Sequence, residues 1–296
     1  MTTVVPVDVA VSGPTERSTR SRVVRRLARN PLAVVSLTVL VLAILVGVLA
    51  PWIAPYAPEQ TDFANTLSPP GTAGHPLGTD DLGRDVLSRI ILGTRASLQV
   101  GVLAVLTALL VGVPLGLVAG YFRAADVVIS RVTDLLLAFP FLILAVGLAA
   151  IRGASLGNAA VAIGIAQIPG IIRVLRSDTL RLKSLDFVAA SIVDGANDLW
   201  VLARHVLPNA TSVVLVQATV AIPAAILGEA VLSFLGLGIQ PPDPSLGTML
   251  ANAQQFAARA PWAAILPGLT IMVLALAFNV FGDSLRDALD PKGTRR

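Results

Sequence analysis

Residues Pro31 to Ala54 read PLAVVSLTVLVLAILVGVLAPWIA, a run with no charged side chain between Arg29 and Glu59. A helix needs about 20 apolar residues to cross the hydrocarbon core of a bilayer. This stretch therefore predicts a membrane span. The same reading extends along the chain. A second uncharged run covers Ser97 to Tyr121, between Arg95 and Arg123. A third covers Leu135 to Ile151, and a fourth Leu156 to Ile172, weakened by Pro169-Gly170. A fifth covers Ser212 to Phe234 and contains Glu229, and a sixth covers Trp262 to Phe281. Backbone polar groups in lipid must be satisfied within the segment, so each span is expected to be helical. The fold class is an all-α polytopic membrane protein with six transmembrane helices.

Composition agrees. Of 296 residues 55% are hydrophobic and 14% are charged, where a soluble domain carries about 25% charged residues. There is no cysteine, which rules out disulfides, thiolate metal sites and cysteine nucleophiles. The basic balance comes from arginine, with Lys183 and Lys292 the only lysines. These arginines flank apolar runs, so they point to a membrane surface and not to nucleic acid. Met1 to Ser21 is polar and reads as disordered. The cluster Arg20, Arg22, Arg25, Arg26 and Arg29 then precedes a run too long for a cleavable signal.

Short loops rich in Lys and Arg favour the cytoplasmic side. With the N-terminus inside, the outer loops hold only Arg84, Arg89, Arg95, Arg152 and Arg259 of the 22 Lys and Arg residues. Both termini are therefore expected in the cytoplasm. Trp52 and Trp262 fall at the outer interface, where indole rings settle. The organisation follows: a basic tail over 1–30, the first span over 31–54, an outer loop over 55–95, a five-helix core over 96–284 with an inner loop at 173–210, and an inner tail over 285–296.

The inner loop is the most informative stretch. Leu182 to Asp194 has helical propensity, Gly195 is a C-terminal breaker, and Asn197 can cap a new helix with Asp198 at its positive end. Leu207-Pro208-Asn209 is expected to stop the chain before the fifth span. The result is a helix, a sharp turn and a second helix, exposed on the cytoplasmic face. From the residues alone, an ordinary structured loop fits as well as a functional one.

Ala189-Ala190-Ser191, then three residues, Gly195, nine residues and His205-Val206-Leu207-Pro208-Asn209 resemble the E-A-A-x3-G-x9-I-x-L-P loop of ABC importer permeases. Arg204-His205 and Asn209 match the peptide branch of that family. The match departs where Ala189 stands for glutamate and Ser191 for alanine, and Asp186 or Asp194 is left to supply a charge. Further segments resemble the dipeptide, oligopeptide and nickel permeases in their C-type subunit. These are Asn30-Pro31-Leu32-Ala33, His75 to Arg89, Arg131 to Asp134, Phe139-Pro140, Glu229 to Gly238, Pro241 to Ser245 and Gly282 to Pro291.

That resemblance implies a type I importer permease fold in the bacterial inner membrane. It implies a coupling helix drawn from Ala189, Ala190, Ser191, Asp194, Gly195, Ala196, Asn197, Arg204, His205, Leu207 and Pro208, docking on an ATPase. It also implies partners: a homologous second permease subunit, two ATPase subunits that bind the ATP and magnesium, an extracytoplasmic peptide-binding protein, and membrane lipid. No cofactor is expected on this chain. Dipeptides, oligopeptides, glutathione and nickel chelates all fall within the implied substrate range.

Other features carry two readings each. Gly112, Gly116 and Gly120 form a stripe that lets a neighbouring helix approach closely, as packing or as part of a gate. Glu229, with Ser233 and Phe234 beside it, is a pore candidate because an intramembrane acid is costly. It also fits a solvated or capping position near the outer interface. His75, Asp80, Asp81 and Asp85 lack the regular oxygen-ligand spacing of a hard-ion site and read as a hydrogen-bonded outer cap. Arg131 and Asp134 can pair on one helical face. Ser245 can cap a short outer helix from about Gly247 to Ala257.

Neither lysine stands in a P-loop, and there is no H-E-x-x-H or G-x-S-x-G, so catalysis by this chain is not expected. An ion-gradient-driven secondary transporter is the rival. It would place coupling acids at the midplane between broken helices, and here only Glu229 qualifies.

Overall fold

The computed structural model describes residues 16–289. Among these there is no strand, only isolated bridges joining Thr72 to His75 and Thr79 to Asp85. Five helices are long and apolar enough to cross a membrane, and a bent helix pair supplies a sixth crossing if counted as one span.

The helix α1, Glu16–Arg29, precedes α2, Pro31–Ile53. The expected disorder up to Ser21 is thus corrected from Glu16 onward, and residues 1–15 lie outside the described part. Asn30 separates the two helices. Its Oδ1 accepts from the amides of Leu32 and Ala33, and Pro31 occupies the position where a missing N–H costs nothing. The helix α2 buries only small or slim positions, chiefly Ala33, Ser36, Leu40, Gly47 and Ala50. Leu32, Val35 and Val48 stay exposed, as a lipid-facing helix requires.

The helix α3, Val86–Tyr121, has 36 residues, about 54 Å at 1.5 Å per residue. The sequence predicts a start near Ser97. The helix begins earlier because Asp85 caps it, accepting from the Ser88 amide, and its first charge, Arg89, is buried against the preceding loop. Arg89 Nε lies 3.5 Å from Asp80, and a guanidinium nitrogen donates to the Pro58 carbonyl. Burial lets a charged turn continue the helix above the membrane.

The expected third span is corrected to two helices. The helix α4, Arg123–Leu137, and α5, Phe141–Arg152, meet at 92°. Pro140 has no N–H to donate and disfavours helical backbone at Phe139, so the chain turns there. Asp134 pairs with Arg173 at 2.8 Å, not with Arg131.

The helix α6, Leu156–Lys183, runs straight through Pro169-Gly170 and past the expected end at Ile172. Arg173, Arg176 and Arg181 therefore sit on a helix, not in a loop. Asp126 of α4 holds Arg176 through both carboxylate oxygens. The helix α7, Asp186–Val193, and the short α8, Asp198–Val201, form an elbow. A π-type turn, Leu202–Val206, leads without a break into α9, Leu207–Phe234. The expected stop at Leu207-Pro208-Asn209 is corrected. Widening to i→i+5 spacing lets the Leu207 amide reach the Leu202 carbonyl. Pro208 then falls in the first turn of α9, where its missing N–H is tolerated.

Ser245 caps α10, Leu246–Ala253, through a reciprocal capping box with Thr248. The expected helical stretch to Ala257 ends instead in a 3-10 turn, Gln254–Phe256. The helix α11, Pro261–Leu289, overruns the expected end at Phe281 and closes the bundle against α9 and α2.

The glycine stripe of α3 forms the tightest seam. A Cβ on Gly112 would sit 2.8 Å from Ile171 of α6, and one on Gly116 would sit 2.6 Å from Leu175. Gly120 meets Thr179 in the same way. Overpacking a well-filled contact costs about 1–3 kcal/mol. The variant Gly116→Val should lower the thermal midpoint of the detergent-solubilised protein. Gly147→Val on α5, where a Cβ meets nothing within 4 Å, should leave that midpoint in place. Equal midpoints for the two variants would mean the seam carries no such strain.

Candidate functional site

The elbow is built on a buried foot. Val188 of α7, Val201 and Leu202, and Val206 of the π-type turn are buried against Leu117 and Tyr121 of α3 and Leu175 and Leu182 of α6. Apolar burial stabilises at about 25 cal/mol per Å2, so these four side chains hold the elbow to the C-terminal ends of α3 and α6. Polar ties reinforce the foot. Tyr121 Oη donates to Asp198 at 2.9 Å, and Lys183 Nζ donates to the Tyr121 carbonyl at 2.7 Å. The same ammonium stands 4.6 Å from the Tyr121 ring centroid, within range of a cation–π attraction.

The turn is a Schellman cap. The Ala196 amide donates to the Ser191 carbonyl, and the Gly195 amide donates to that of Ile192. Gly195 takes φ +84°, and a Cβ added there would meet nothing within 4 Å. The glycine is thus required by backbone conformation and not by space. Asn197 then caps α8, its Oδ1 accepting from the Leu199 amide.

His205 rivets the two arms of the elbow together. Its Nε2 lies 3.1 Å from Ser191 Oγ. Its ring meets Trp200 edge-on at 5.0 Å and Phe187 at 6.1 Å. Asn209 Nδ2 donates to the His205 carbonyl. The structure therefore brings together Ser191, Gly195, Asn197 and His205. It leaves Ala189, Ala190, Asp194, Arg204, Leu207 and Pro208 exposed on the outside of the elbow, with Ala196 half-buried at its crease. Asp186 and Asp194 stand exposed at the two ends of α7.

Sequence reasoning missed the apolar crown. Ile192, Val193, Leu199 and Trp200 all stay exposed on the elbow, Val193 at 86% and Leu199 at 67%. Four large apolar side chains clustered around one turn exceed the scattered exposure that needs no explanation. The available signal was the adjacent Leu199-Trp200 pair directly after a helix cap, where a solvated first turn would carry polar residues. The Tyr121–Asp198 tie was also missed, because Asp198 was accounted for locally as a charge at a helix start.

The pore candidates lie elsewhere. Glu229 is fully buried, so a solvated position is excluded. It accepts from Ser97 Oγ of α3 at 2.8 Å and from Ser233 Oγ at 2.7 Å. Ser233 Oγ in turn accepts from the Ile239 amide, so this network joins α3, α9 and the outer loop. Phe234 stays exposed. Gly112, Gly116 and Gly120 face α6 in the seam.

In the outer loop, His75 Nδ1 lies 3.0 Å from Asp85, while Asp80 receives Arg84 Nε at 2.7 Å and backbone amides. These carboxylates are committed to internal partners as a cap, and Trp262 Nε1 joins it by donating to the Thr79 carbonyl.

Removing the Glu229 acceptor strands two buried hydroxyls, each costing about 1–3 kcal/mol. Glu229→Leu should reduce the yield of folded protein in detergent, whereas Glu229→Gln, which keeps an acceptor oxygen, should recover most of it. Equal yields for both variants would dismiss the network as a structural tie.

Comparison with known proteins places these elements. Residues 112–295 match the family described as binding-protein-dependent transport system inner membrane component. Residues 18–70 match the N-terminal transmembrane domain of oligopeptide transport permease C. The dipeptide transport system permease protein DppC of Alkalihalophilus pseudofirmus is 44% identical over 269 residues, 90% of this chain and 88% of that protein. The di/tripeptide transport system permease protein DppC of Pseudomonas aeruginosa is 45% identical over 271 residues, 90% of this chain and 89% of that protein. The glutathione transport system permease protein GsiD of Pectobacterium atrosepticum is 43% identical over 269 residues, 90% of this chain and 89% of that protein. The stripe Gly112, Gly116 and Gly120, the elbow, and Glu229 with Ser233 all lie within the longer of the two family matches, and the chain belongs to the binding-protein-dependent transport system inner membrane components, a family of permease subunits and not of enzymes.

Proposed function

We propose that this chain is one of two pore-forming permease subunits of an ATP-driven peptide importer in the bacterial cell membrane, with both termini in the cytoplasm. The single observation that carries the reading is the elbow: a buried foot on α3 and α6, and an exposed apolar crown around Gly195. A surface of that kind fits the cleft of a separate motor subunit. The peptide substrate is supported by relatives of similar identity that carry dipeptide and di/tripeptide names. The glutathione relative extends the same class, because glutathione is itself a tripeptide.

The mechanism follows from the packing. An extracytoplasmic binding protein delivers peptide to the outer face. ATP and magnesium bind to two ATPase subunits, not to this chain. Closure of those subunits pushes α7 and α8. Because Val188, Val201, Leu202 and Val206 are packed against α3 and α6, the push is delivered to two helices held close at the glycine seam, where Ile171, Leu175 and Thr179 of α6 fill the space that α3 leaves. They tilt as one rigid body against α9 and α11, alternating access for the peptide. Ala189 and Ala190 present small side chains on the outside of α7, so a partner surface can approach its backbone closely. Asp186 and Asp194 frame that surface with negative charge.

Gly195 supplies the test. A β-branched residue at φ +84° costs about 1–3 kcal/mol of strain, whereas asparagine tolerates that region. In vesicles containing the two permeases, the ATPases and the binding protein, Gly195→Val should abolish dialanine uptake at least tenfold while ATP hydrolysis continues. Gly195→Asn should restore uptake. Normal uptake by the valine variant, or failure of any ATPase to co-purify with the wild-type chain, would remove the coupling role. Uptake driven by an ion gradient without ATP would instead establish the secondary transporter.

A further inference from the structure

A cleft of about 520 Å3 opens at the outer end of the bundle, where α3 and the start of α6 meet the loop that follows α9. This volume falls in the usual range of small-molecule sites, about 300–1,000 Å3. One wall carries Arg95 and, one helical turn further along α3, Gln99. The loop contributes Gln240 and Asp243 to the same cleft. Leu156 and Ile239 supply apolar lining. Arg95 is half-buried and Asp243 is exposed. Among the described residues, neither side chain has an ion-pair or hydrogen-bond partner.

Two unpaired charges of opposite sign, one from α3 and one from the loop after α9, line this one cleft. A cleft for a simple anion or cation would carry one sign throughout. A guanidinium lining a cleft with no partner in the protein is geometrically suited to bind a carboxylate through two parallel hydrogen bonds. A carboxylate in the same cleft suits an ammonium. The ligand that offers both within one or two residue lengths, about 3.5–7 Å, is a short peptide with free termini. The apolar lining between the charges suits its side chains. The site is also held in shape. Ile239 is fixed by its amide hydrogen bond to Ser233, which is itself bound to Glu229. The opposite face of α3 is tied to the same carboxylate through Ser97.

We propose that this cleft is the port at which a zwitterionic di- or tripeptide is received from the binding protein, with Arg95 taking its C-terminal carboxylate and Asp243 its N-terminal ammonium. The proposal rests on the peptide-importer reading above. Glu229 acts here as a positioning residue that holds the two walls in register, and it does not touch the ligand.

The experiment measures dialanine uptake by vesicles holding the complete transporter, over a range of concentrations of peptide-loaded binding protein. Arg95→Gln and Asp243→Asn should each raise the apparent KM roughly tenfold, as loss of one charge-assisted contact does. Arg95→Lys should recover part of that loss. The exchange variant Arg95→Asp with Asp243→Arg should exceed either single charge reversal. Asp243→Asn lies on an exposed loop and carries the test alone where an Arg95 variant fails to insert. An unchanged KM in Asp243→Asn and Arg95→Gln overturns the port. So does a weakened grip on the peptide-free binding protein, or loss of the second permease subunit on purification, since either would make these residues part of a docking face. A wild-type complex that hydrolyses ATP yet imports no dialanine overturns the peptide reading itself, and is distinguished because it needs no variant.

Discussion

The close approach of α3 and α6 is the contact on which the rest of the molecule depends. Helices in lipid gain nothing from hiding apolar surface from each other, because the surrounding tails are equally apolar. They associate where small residues let backbones meet. Gly112, Gly116 and Gly120 on α3 admit Ile171, Leu175 and Thr179 of α6 with no room for even one added carbon. Gly164 on α6 returns the favour near Thr107. The seam runs the shared length of the two helices. Its inner end is where the elbow is seated, and its outer end lies beside the Ser97–Glu229 contact and the charged cleft.

That arrangement gives α3 an unusual role. It is much longer than the bilayer core is thick, so both its ends project into regions where polar chemistry is available. At the outer end, Arg89 is neutralised within a cap of acidic residues. At the inner end, Tyr121 offers three separate handles: its ring to Leu182 and Lys183, its carbonyl to the Lys183 ammonium, and its hydroxyl to Asp198. A single long helix thus contacts α6, α9 and α11 and, through Tyr121 Oη, α8.

The spans were legible because the bilayer imposes a simple rule on composition, and the gaps between charges mark apolar helices well. What the gaps cannot reveal is where a helix continues beyond the lipid. Val86 to Ala96 reads as loop because it contains Arg89 and Arg95, but Asp85 caps a helix there and Arg89 is paired with Asp80, so the helix starts well before the apolar run. The Leu135–Ile151 run looked like one span because charge alone says nothing about direction, although Phe139-Pro140 carried the signal for the 92° bend. Leu207-Pro208-Asn209 reads as a stop by local preference. A π-type turn upstream absorbs the proline, and such turns leave no periodic trace in sequence. The elbow was the reverse case. Gly195 and Asn197 act through local backbone chemistry, so the turn and cap were readable from residue type, as was the Ser245 cap of α10, while the crown of Val193, Leu199 and Trp200 was not, since exposure is a property of the whole fold.

The outer cap and the inner elbow differ in a way that bears on how such a subunit works. The cap is closed upon itself: His75, Asp80, Arg84, Asp85 and Arg89 are all buried with partners, and Trp262 locks the group onto α11. The elbow is closed only at its foot. Its outward side leaves apolar groups in water, a state that becomes favourable once a second surface covers them. One end of the bundle is therefore closed on its own partners, and the other leaves an apolar surface uncovered. In the importer proposed above, this asymmetry divides the labour: the open end takes the push, the glycine seam passes it between α3 and α6, and the closed end holds the helix starts together.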